Sequence, residues 1–200
     1  MTVLKIEEFS KFDPVFEDQW NKFNKIYQIP KKFQNCHIDN LPDLPQEKIE
    51  YGKSFIKNPK SLVLYGDTGR AKTSFAYALL RGLLSRFNLS FFRWIAVKDL
   101  DDKIADQIKT TGSAKEGIIK SVSEVEILFL DDFGINRDSE RAERDFYEII
   151  DKRWGNELIT VISTNLNYKS IHENFGSRII SRLKDSDWME FDGKDLRGKK

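Results

Sequence analysis

A glycine-containing loop between a strand and a helix constrains this chain more than any other feature. A buried strand is predicted for residues 62–65, which read LVLY, and a helix with apolar residues on one side is predicted for residues 72–86. Between them, residues 66–74 read GDTGRAKTS. This is the phosphate-loop pattern G-x-x-x-x-G-K-[ST] with alanine at the second glycine position. The sequence therefore predicts a strand, a phosphate-binding loop and a helix, in that order.

Each part of this loop has an expected role. Backbone N–H groups of the loop point at the phosphates of a bound nucleotide, and the helix that follows presents its positive end to them. Lys72 is expected to reach the β- and γ-phosphates, and the Thr73 hydroxyl to coordinate Mg²⁺. The predicted ATP-binding residues are Gly66, Asp67, Thr68, Gly69, Arg70, Ala71, Lys72, Thr73 and Ser74.

Ala71 is the one departure from the loop pattern. Alanine lacks the freedom of glycine to adopt a positive φ. If the loop requires a positive φ here, alanine costs on the order of 1–2 kcal/mol. The substitution predicts weakened nucleotide binding with slow hydrolysis, and it leaves open a protein that binds nucleotide without hydrolysing it.

Paired acids follow a second apolar strand, about 60 residues downstream. The strand is predicted for residues 125–130, and Asp131 and Asp132 come directly after it. This is the form of a Walker B element, in which Asp131 holds Mg²⁺ through water and Asp132 polarises the attacking water. Paired aspartates after a strand also serve as helix caps, which is the alternative for this pair.

The alternation of strands and helices predicts an α/β fold with a mostly parallel five-stranded sheet and helices on both faces. The chain of 200 residues fits one such domain with a short appendage. We expect an N-terminal amphipathic helix and Pro-rich connector over 1–45 and the α/β domain over 46–200. Strands are predicted at 62–65, 91–97, 125–130, 158–162 and 188–191, and helices at 12–27, 46–58, 72–86, from 99 to a break at 112–113, from there to 122, at 139–155 and at 176–184.

Composition excludes several classes of protein. The net charge of +1 provides no general attraction to nucleic acid or to an anionic membrane, so any DNA-binding surface must be local. The single cysteine, Cys36, excludes an intramolecular disulfide and, with two histidines, a structural zinc cluster. The N-terminal residues do not resemble a secretory signal, and no apolar run reaches the roughly 20 residues of a membrane helix. We expect a cytoplasmic protein with no membrane partner.

The fourth strand ends in Ser163-Thr164-Asn165, and residues 176–183 read GSRIISRL at the start of the last helix. Together with the two Walker elements, this order resembles the AAA+ ATPases and, within them, the DnaC/IstB-like group of bacterial helicase loaders and transposase helper ATPases. The resemblance implies an AAA+ core without a C-terminal helical lid. It also implies that Asn165 senses the γ-phosphate and that Arg182 completes the site of a neighbouring subunit, with Arg178 as the alternative finger.

The same resemblance implies a function. The chain would bind ATP and Mg²⁺, self-associate through Arg182, bind single-stranded DNA and deliver a hexameric replicative helicase in DNA replication. An IstB-like transposase helper that favours double-stranded DNA is one alternative, and a helicase-binding module with little or no hydrolysis is another. A small-molecule kinase fits poorly because Asn165 and Arg182 would then be unexplained.

Two segments are candidate partner surfaces. Cations between the Walker elements suggest contacts to DNA phosphates, but interleaved acids favour a solvated, ion-paired face slightly more. Phe92 and Trp94 are expected in the core rather than stacked on bases. The aromatic residues of the 12–27 helix either grip a partner helicase or pack on their own domain. The candidate cations are Arg93, Lys98, Lys103, Lys109, Lys115 and Lys120.

Overall fold

The computed structural model describes residues 14–111, 115–134, 140–193 and 195, without the side chains of residues 14–16 and 111. The helices are α1 (Pro14–Tyr27), α2 (Gln46–Lys57), α3 (Lys72–Leu84), α4 (Val97–Thr111), α5 (Lys115–Ser123), α6 (Glu140–Gly155) and α7 (Tyr168–Leu183). The strands are β1 (Leu62–Tyr65), β2 (Phe92–Ala96), β3 (Ile127–Phe133), β4 (Ile159–Thr164) and β5 (Asp187–Glu190). Short 3₁₀ helices cover Lys31–Phe33 and Leu89–Phe91.

The five strands form one sheet in the order β2-β3-β4-β1-β5. Strand β1 pairs in parallel with β4 and β5, and β3 pairs in parallel with β4. Parallel neighbours need crossover connections, which the helices between successive strands provide. The predicted α/β fold is confirmed, and no helix follows β5 in the described residues. None of the helices described is long and apolar enough to cross a bilayer.

The chain forms two compact units. Of the described residues, those up to 59 and those from 73 to 92 form the first unit, and those from 60 to 72 and from 93 onward form the second. In the first unit, Trp20 and Phe23 of α1 are 3% and 0% exposed, and the Arg81 guanidinium lies 5.0 Å from the Trp20 ring. The described aromatic face of α1 therefore packs within its own unit. The predicted division at residue 45 and the partner role of this helix stay predictions.

In the second unit, the apolar core joins β3 and β4 to α4, α5, α6 and α7. Phe133 stacks on Phe175 with ring centroids 4.5 Å apart, and both are buried. Trp94 of this unit is 8% exposed and stacks on Phe129, and Phe92, which belongs to the first unit, is 3% exposed, so the predicted burial of both side chains is confirmed. Strands of this kind are near-continuous apolar runs because both faces of a parallel sheet are covered.

Two elements differ from the sequence prediction by three or more residues at one end. Strand β3 continues through both acidic residues to Phe133 instead of ending at Leu130. Helix α7 begins at Tyr168, eight residues before the predicted start, because the Asn167 side chain caps it by accepting a hydrogen bond from the Ser170 N–H. A kink at Gly176, with φ 74° and ψ 173°, marks the predicted start. The predicted break at 112–113 and the start of the first helix at residue 12 lie outside the described residues.

A buried arginine ties α6 to the sheet. Arg153 is 1% exposed and donates hydrogen bonds to the carbonyl oxygens of Val122, Val125 and Ile159 at 2.9, 2.6 and 2.6 Å. Its Nε also donates to the Thr160 hydroxyl at 2.8 Å. Burial lowers the pKa of Arg153 to about 9, an effect that nearby Glu126 opposes. The guanidinium therefore remains charged at neutral pH, and its charge is dispersed over carbonyl dipoles instead of meeting a carboxylate.

Candidate nucleotide site

The three central strands bring their carboxyl ends together. Strands β3, β4 and β1 are neighbours in the sheet, and ligands of open parallel sheets bind at this edge. The phosphate loop leaves the end of β1 at Gly66, whose φ is 133°. A side chain at Gly66 would collide with the backbone of Phe191, whose N–H donates to the Tyr65 carbonyl oxygen at 2.6 Å. Glycine is therefore required at residue 66 by close backbone approach.

Ala71 adopts a left-handed backbone conformation with φ 65°. The loop therefore does require a positive φ at the position where the phosphate-loop pattern has glycine. An L-residue with a Cβ atom is strained in this region, by about 1–2 kcal/mol. The folded chain thus carries strain at the residue that immediately precedes Lys72.

Lys72 contacts the predicted sensor directly. Its Nζ lies 2.6 and 2.7 Å from the carbonyl oxygens of Gly66 and Asp67, and 2.8 Å from the Asn165 side-chain oxygen. These three acceptors match the three N–H groups of an ammonium. Lys72 is only 6% exposed, so the charge is held in a defined position at the loop. The structure thus brings together two predicted site residues, one from the phosphate loop and one from the turn after β4.

A β-bulge shapes the end of strand β3. Leu130 pairs with Ile162 and Phe133 with Thr164, so Asp131 and Asp132 together oppose the single residue Ser163. The Ser163 hydroxyl donates to the Asp131 carboxylate and accepts a hydrogen bond from the Asp132 N–H at 3.1 Å. Bulges of this kind leave the extra residue without its ladder partner and re-aim side chains. Both acids therefore leave the sheet at one point, next to the end of β4.

Asp132 is the second non-glycine residue of the site, after Ala71, with a left-handed backbone conformation, and its φ is 57°. Its side chain is exposed, whereas Phe133, the next residue, is 0% exposed. Aspartate tolerates this conformation better than most residues because its short polar side chain bonds locally. The geometry is compatible with the predicted role of Asp132 toward water, and this role stays a prediction.

Thr164 locks the end of β4. It is 0% exposed, its hydroxyl donates to the Phe133 carbonyl oxygen at 2.6 Å, and the same oxygen accepts from the Leu166 N–H at 3.0 Å. These bonds fix the turn that carries Asn165. Ser163 and Thr164 had no predicted role of their own. The sequence signal for such a role is a pair of hydroxyl side chains at the end of a buried strand, because buried hydroxyls need hydrogen-bond partners.

The residues of the loop fit a phosphate-bearing ligand. Among the described residues, the buried Nε and Nη1 of Arg70 have no hydrogen-bond partner, and the Asp67 carboxylate lies 3.7 Å from Nη2. Buried donors without acceptors are costly and are usually satisfied by a ligand or water. The carboxylate of Asp195 lies against Gly69, so that a Cβ atom at Gly69 would collide with it. An acidic side chain from the segment after β5 therefore lies beside the loop.

Thr68, Thr73 and Ser74 complete the predicted set. Thr68 is exposed at the tip of the loop, and Thr73 and Ser74 are the second and third residues of α3. A hydrogen bond joins the Ser74 side chain to Cys36, which is buried. The roles of Thr73 in binding Mg²⁺ and of Ser74 in binding ATP stay predictions.

The two predicted arginine fingers lie on α7 and contact α6. The Arg182 Nε lies 2.7 Å from the Asp151 carboxylate, and its guanidinium lies 4.3 Å from the centre of the Trp154 ring. The hydrogen bond that Arg182 donates to the Asp151 carboxylate raises the pKa of Arg182. Arg178 lies 5.9 Å from the Tyr147 ring centre. Arg182 therefore forms an ion pair within its own chain, and the predicted finger role stays a prediction.

The predicted DNA-contacting cations are divided. Lys109 pairs with Asp106 at 3.7 Å, and Lys115 pairs with the buried Asp145 at 2.6 Å. Asp145 also binds Arg141 at 3.0 Å, so Lys115 belongs to a network that joins α5 to α6. The exposed lysines of this set are Lys98, Lys103, Lys109 and Lys120, while Arg93 and Lys115 are partly buried.

The chain is similar to known replication proteins in sequence and in fold. The replicative helicase loader DnaC of Escherichia coli K12 is 25% identical over 175 residues, which cover 83% of this chain and 71% of the relative. Among solved structures, the DnaC helicase loader superimposes with a TM-score of 0.71 at 20% identity, over 82% of this chain and 100% of that chain. The replication initiator DnaA bound to AMPPCP and single-stranded DNA superimposes with a TM-score of 0.66 at 16% identity, over 84% and 53%.

These superpositions confirm the predicted α/β fold with a parallel five-stranded sheet. The profile of the family described as IstB-like ATP binding protein matches residues 18–185, which include β1, β3 and β4, the strands that carry the site. The described sheet, the phosphate loop and the paired acids agree with that match. The chain belongs to the IstB-like ATP-binding protein family.

Proposed function

We propose that this protein is an ATP-dependent loader of a replicative helicase. The observation that carries the proposal is the contact between Lys72 and Asn165 at 2.8 Å, beside a bulge that presents Asp131 and Asp132. A phosphate-binding cation, a sensing amide and a metal-binding carboxylate are the groups that nucleotide hydrolysis needs. Similarity to the E. coli helicase loader supports the replication role.

Each residue of the site has a distinct task in this proposal. The loop N–H groups and Lys72 bind the phosphates, and Asp131 with Thr73 would hold Mg²⁺, which supplies charge neutralisation at the phosphates when bound. Asp132 orients the attacking water, and Asn165 distinguishes the presence of the γ-phosphate. Arg182 neutralises charge on the phosphoryl group of a neighbouring subunit. The orphaned nitrogens of Arg70 support binding of a polyphosphate.

The decisive experiment measures ATP turnover by the purified chain, alone and with single-stranded DNA. Lys72→Ala and Arg182→Ala are each expected to abolish turnover, and an equimolar mixture is expected to recover part of it because each variant supplies the half-site that the other lacks. Arg178→Ala tests the alternative finger on the same helix, and it should keep turnover if Arg182 is the finger. Background turnover by the wild-type chain under every condition would contradict the enzymatic part of the proposal.

Single-stranded DNA is the proposed nucleic-acid partner, supported by the fold shared with a DnaA structure that contains it. Lys98 and Lys103 lie exposed on α4 and are the strongest candidates for phosphate contacts. Replacing both with alanine should lower affinity for a labelled oligonucleotide and reduce the slope of affinity against salt by roughly one to two. Lys109→Ala, which removes an ion-paired lysine, is the control. Equal binding of duplex and single strands would favour the transposase-helper alternative.

The proposed protein partner is a hexameric replicative helicase, and α1 is the proposed contact. Trp20 and Phe23 are buried within the first unit, whereas Ile26 is 61% exposed on the same helix. Ile26→Glu should reduce co-purification with the helicase of the same host without changing the unfolding midpoint. Lys25→Glu, next to it, separates a charge effect from loss of the apolar contact. Undiminished binding by Ile26→Glu would remove α1 from the interface.

A second candidate function is a nucleotide-binding module that does not hydrolyse ATP. The left-handed conformations of Ala71 and Asp132 favour it, with φ 65° and 57°, because both strain the residues that flank the chemistry. This candidate predicts binding of a fluorescent ATP analogue with no turnover in the presence of DNA and helicase. Turnover that depends on Lys72 would exclude it.

A further inference from the structure

Ser163 is a buried side chain with no assigned role that touches both acids of the site. It is 2% exposed and opposes Asp131 and Asp132 across the β-bulge. A hydroxyl has one hydrogen to donate. Because the Asp132 N–H is itself a donor, the Ser163 oxygen must accept from it, at 3.1 Å. The single hydroxyl hydrogen is then directed to the Asp131 carboxylate.

We infer that Ser163 is a positioning residue that holds the Asp131 carboxylate in the orientation required to bind Mg²⁺ with nucleotide. The inference rests on the proposed function. A carboxylate anchored through one oxygen loses the freedom to rotate, and partners of metal-binding carboxylates contribute strongly to metal affinity. The same hydroxyl satisfies the backbone N–H that the bulge leaves without a ladder partner.

This arrangement joins the metal site to the sensor. Ser163 lies two residues before Asn165 on the same strand end, and Thr164 between them is hydrogen-bonded to the Phe133 carbonyl oxygen at 2.6 Å. Ser163 and Thr164 at the end of β4 therefore fix the end of β3, Ser163 at the two acids and Thr164 at Phe133. A disturbance at Ser163 is expected to alter metal binding first and phosphate binding by the loop much less.

The test measures how binding of a fluorescent, non-hydrolysable ATP analogue depends on Mg²⁺ concentration. Ser163→Ala should raise the Mg²⁺ concentration at half-saturation by roughly tenfold, while affinity for the analogue in EDTA stays at the wild-type value. Ser163→Thr, which keeps the hydroxyl, should restore the Mg²⁺ dependence to within about threefold of wild type.

Ser61→Ala is the matched control. The Ser61 hydroxyl also accepts a hydrogen bond from a backbone N–H, that of Thr160 at 3.1 Å. Ser61 lies just before the first residue of β1, at the edge of the sheet opposite to the nucleotide site. This variant should lose stability to a degree similar to Ser163→Ala in urea denaturation and keep the wild-type Mg²⁺ dependence. An unchanged Mg²⁺ dependence in Ser163→Ala, or an equal change in Ser61→Ala, would overturn the assignment alone. A wild-type chain that binds no nucleotide would overturn the proposed function and the assignment with it.

Discussion

The Arg182 guanidinium lies between a carboxylate and an indole of the same chain, with its Nε 2.7 Å from Asp151 and its centre 4.3 Å from the Trp154 ring. An arginine that acts in a neighbouring subunit must exchange at least the first of these partners for phosphate oxygens. The Asp151 carboxylate therefore competes with the ligand that we propose for Arg182.

Asp151→Asn should lower the protein concentration at which ATP turnover becomes half-maximal, because it removes that competitor. The measurement is turnover as a function of protein concentration at fixed ATP. Glu148→Gln is the control, since Glu148 lies on the same helix and pairs with Lys152 at 2.7 Å instead. An Asp151→Asn curve that coincides with wild type, or that shifts to higher concentration, would count against a finger role for Arg182.

Ala71→Gly should increase both stability and nucleotide affinity. Glycine relieves the strain at φ 65°, and the greater entropy of glycine in the unfolded chain offsets part of the gain, which leaves about 1 kcal/mol in urea denaturation. Ala105→Gly, within α4, provides the opposite case and should lose roughly 0.5–1 kcal/mol. If Ala71→Gly is destabilising like the control, the strain argument is wrong.

Arg153→Met should destabilise the chain by about 3–5 kcal/mol, because it leaves several buried carbonyl oxygens and the Thr160 hydroxyl without a donor. The measurement is the unfolding midpoint in urea, or the soluble yield if the variant does not fold. Arg153→Lys keeps the charge but only three donors, so it should be intermediate. Arg144→Met, exposed on the same helix, should change the midpoint little.

Asp195→Asn should tighten nucleotide binding. Its carboxylate lies against Gly69, and a negative charge at that position repels the phosphates that we expect there. Since Asp195 is exposed, the effect should be modest, roughly threefold in the dissociation constant, and it should fade with added salt. Asp185→Asn makes the same charge change after α7 and is expected to have no effect. Equal effects of both variants would indicate a general change in charge instead of a local contact.

Cys36 should react slowly with iodoacetamide in the folded chain. Burial raises the pKa of its thiol, while the Ser74 hydrogen bond and the Arg81 charge lower it by less. Because the pKa is raised, the thiolate fraction at pH 8 is smaller than for a free thiol, and the rate should continue to rise at pH values where a free thiol has already levelled off. At pH 8 the reaction should be at least about tenfold faster in urea. Equal rates would show that the thiol is accessible in the folded chain.

Periodicity and motif spacing were sufficient to predict most of this fold. The phosphate loop lies between β1 and α3 as expected, and the apolar runs became the five strands. The start of α7 was missed because Asn167, a good helix cap, was not weighed against the later glycine at 176. The continuation of β3 through its acids was missed because a bulge depends on the pairing register with β4, which local sequence does not contain.

The candidate site was likewise predictable only in part. Gly66, Lys72 and Asp131 were proposed from short sequence patterns and Asn165 from the family resemblance, and their roles stay predictions. The contact of Lys72 with Asn165 joins residues 93 positions apart, and the ion pair of Arg182 with Asp151 joins residues 31 apart. Such partners emerge only from tertiary packing. The role of Ser163 was hidden for the same reason, because its two partners lie on a neighbouring strand.

The hydrogen bond between Lys72 and Asn165 has a thermodynamic consequence. The ammonium already has three acceptors, so a phosphate oxygen that binds it must displace one of them. If the amide is displaced, the turn that leads from β4 into α7 loses an anchor at the moment of binding. By reciprocity, whatever stabilises that turn without the anchor must increase the affinity of the loop for phosphate by the same factor. A partner that binds α7 and stabilises this turn would then increase nucleotide occupancy without contacting the nucleotide.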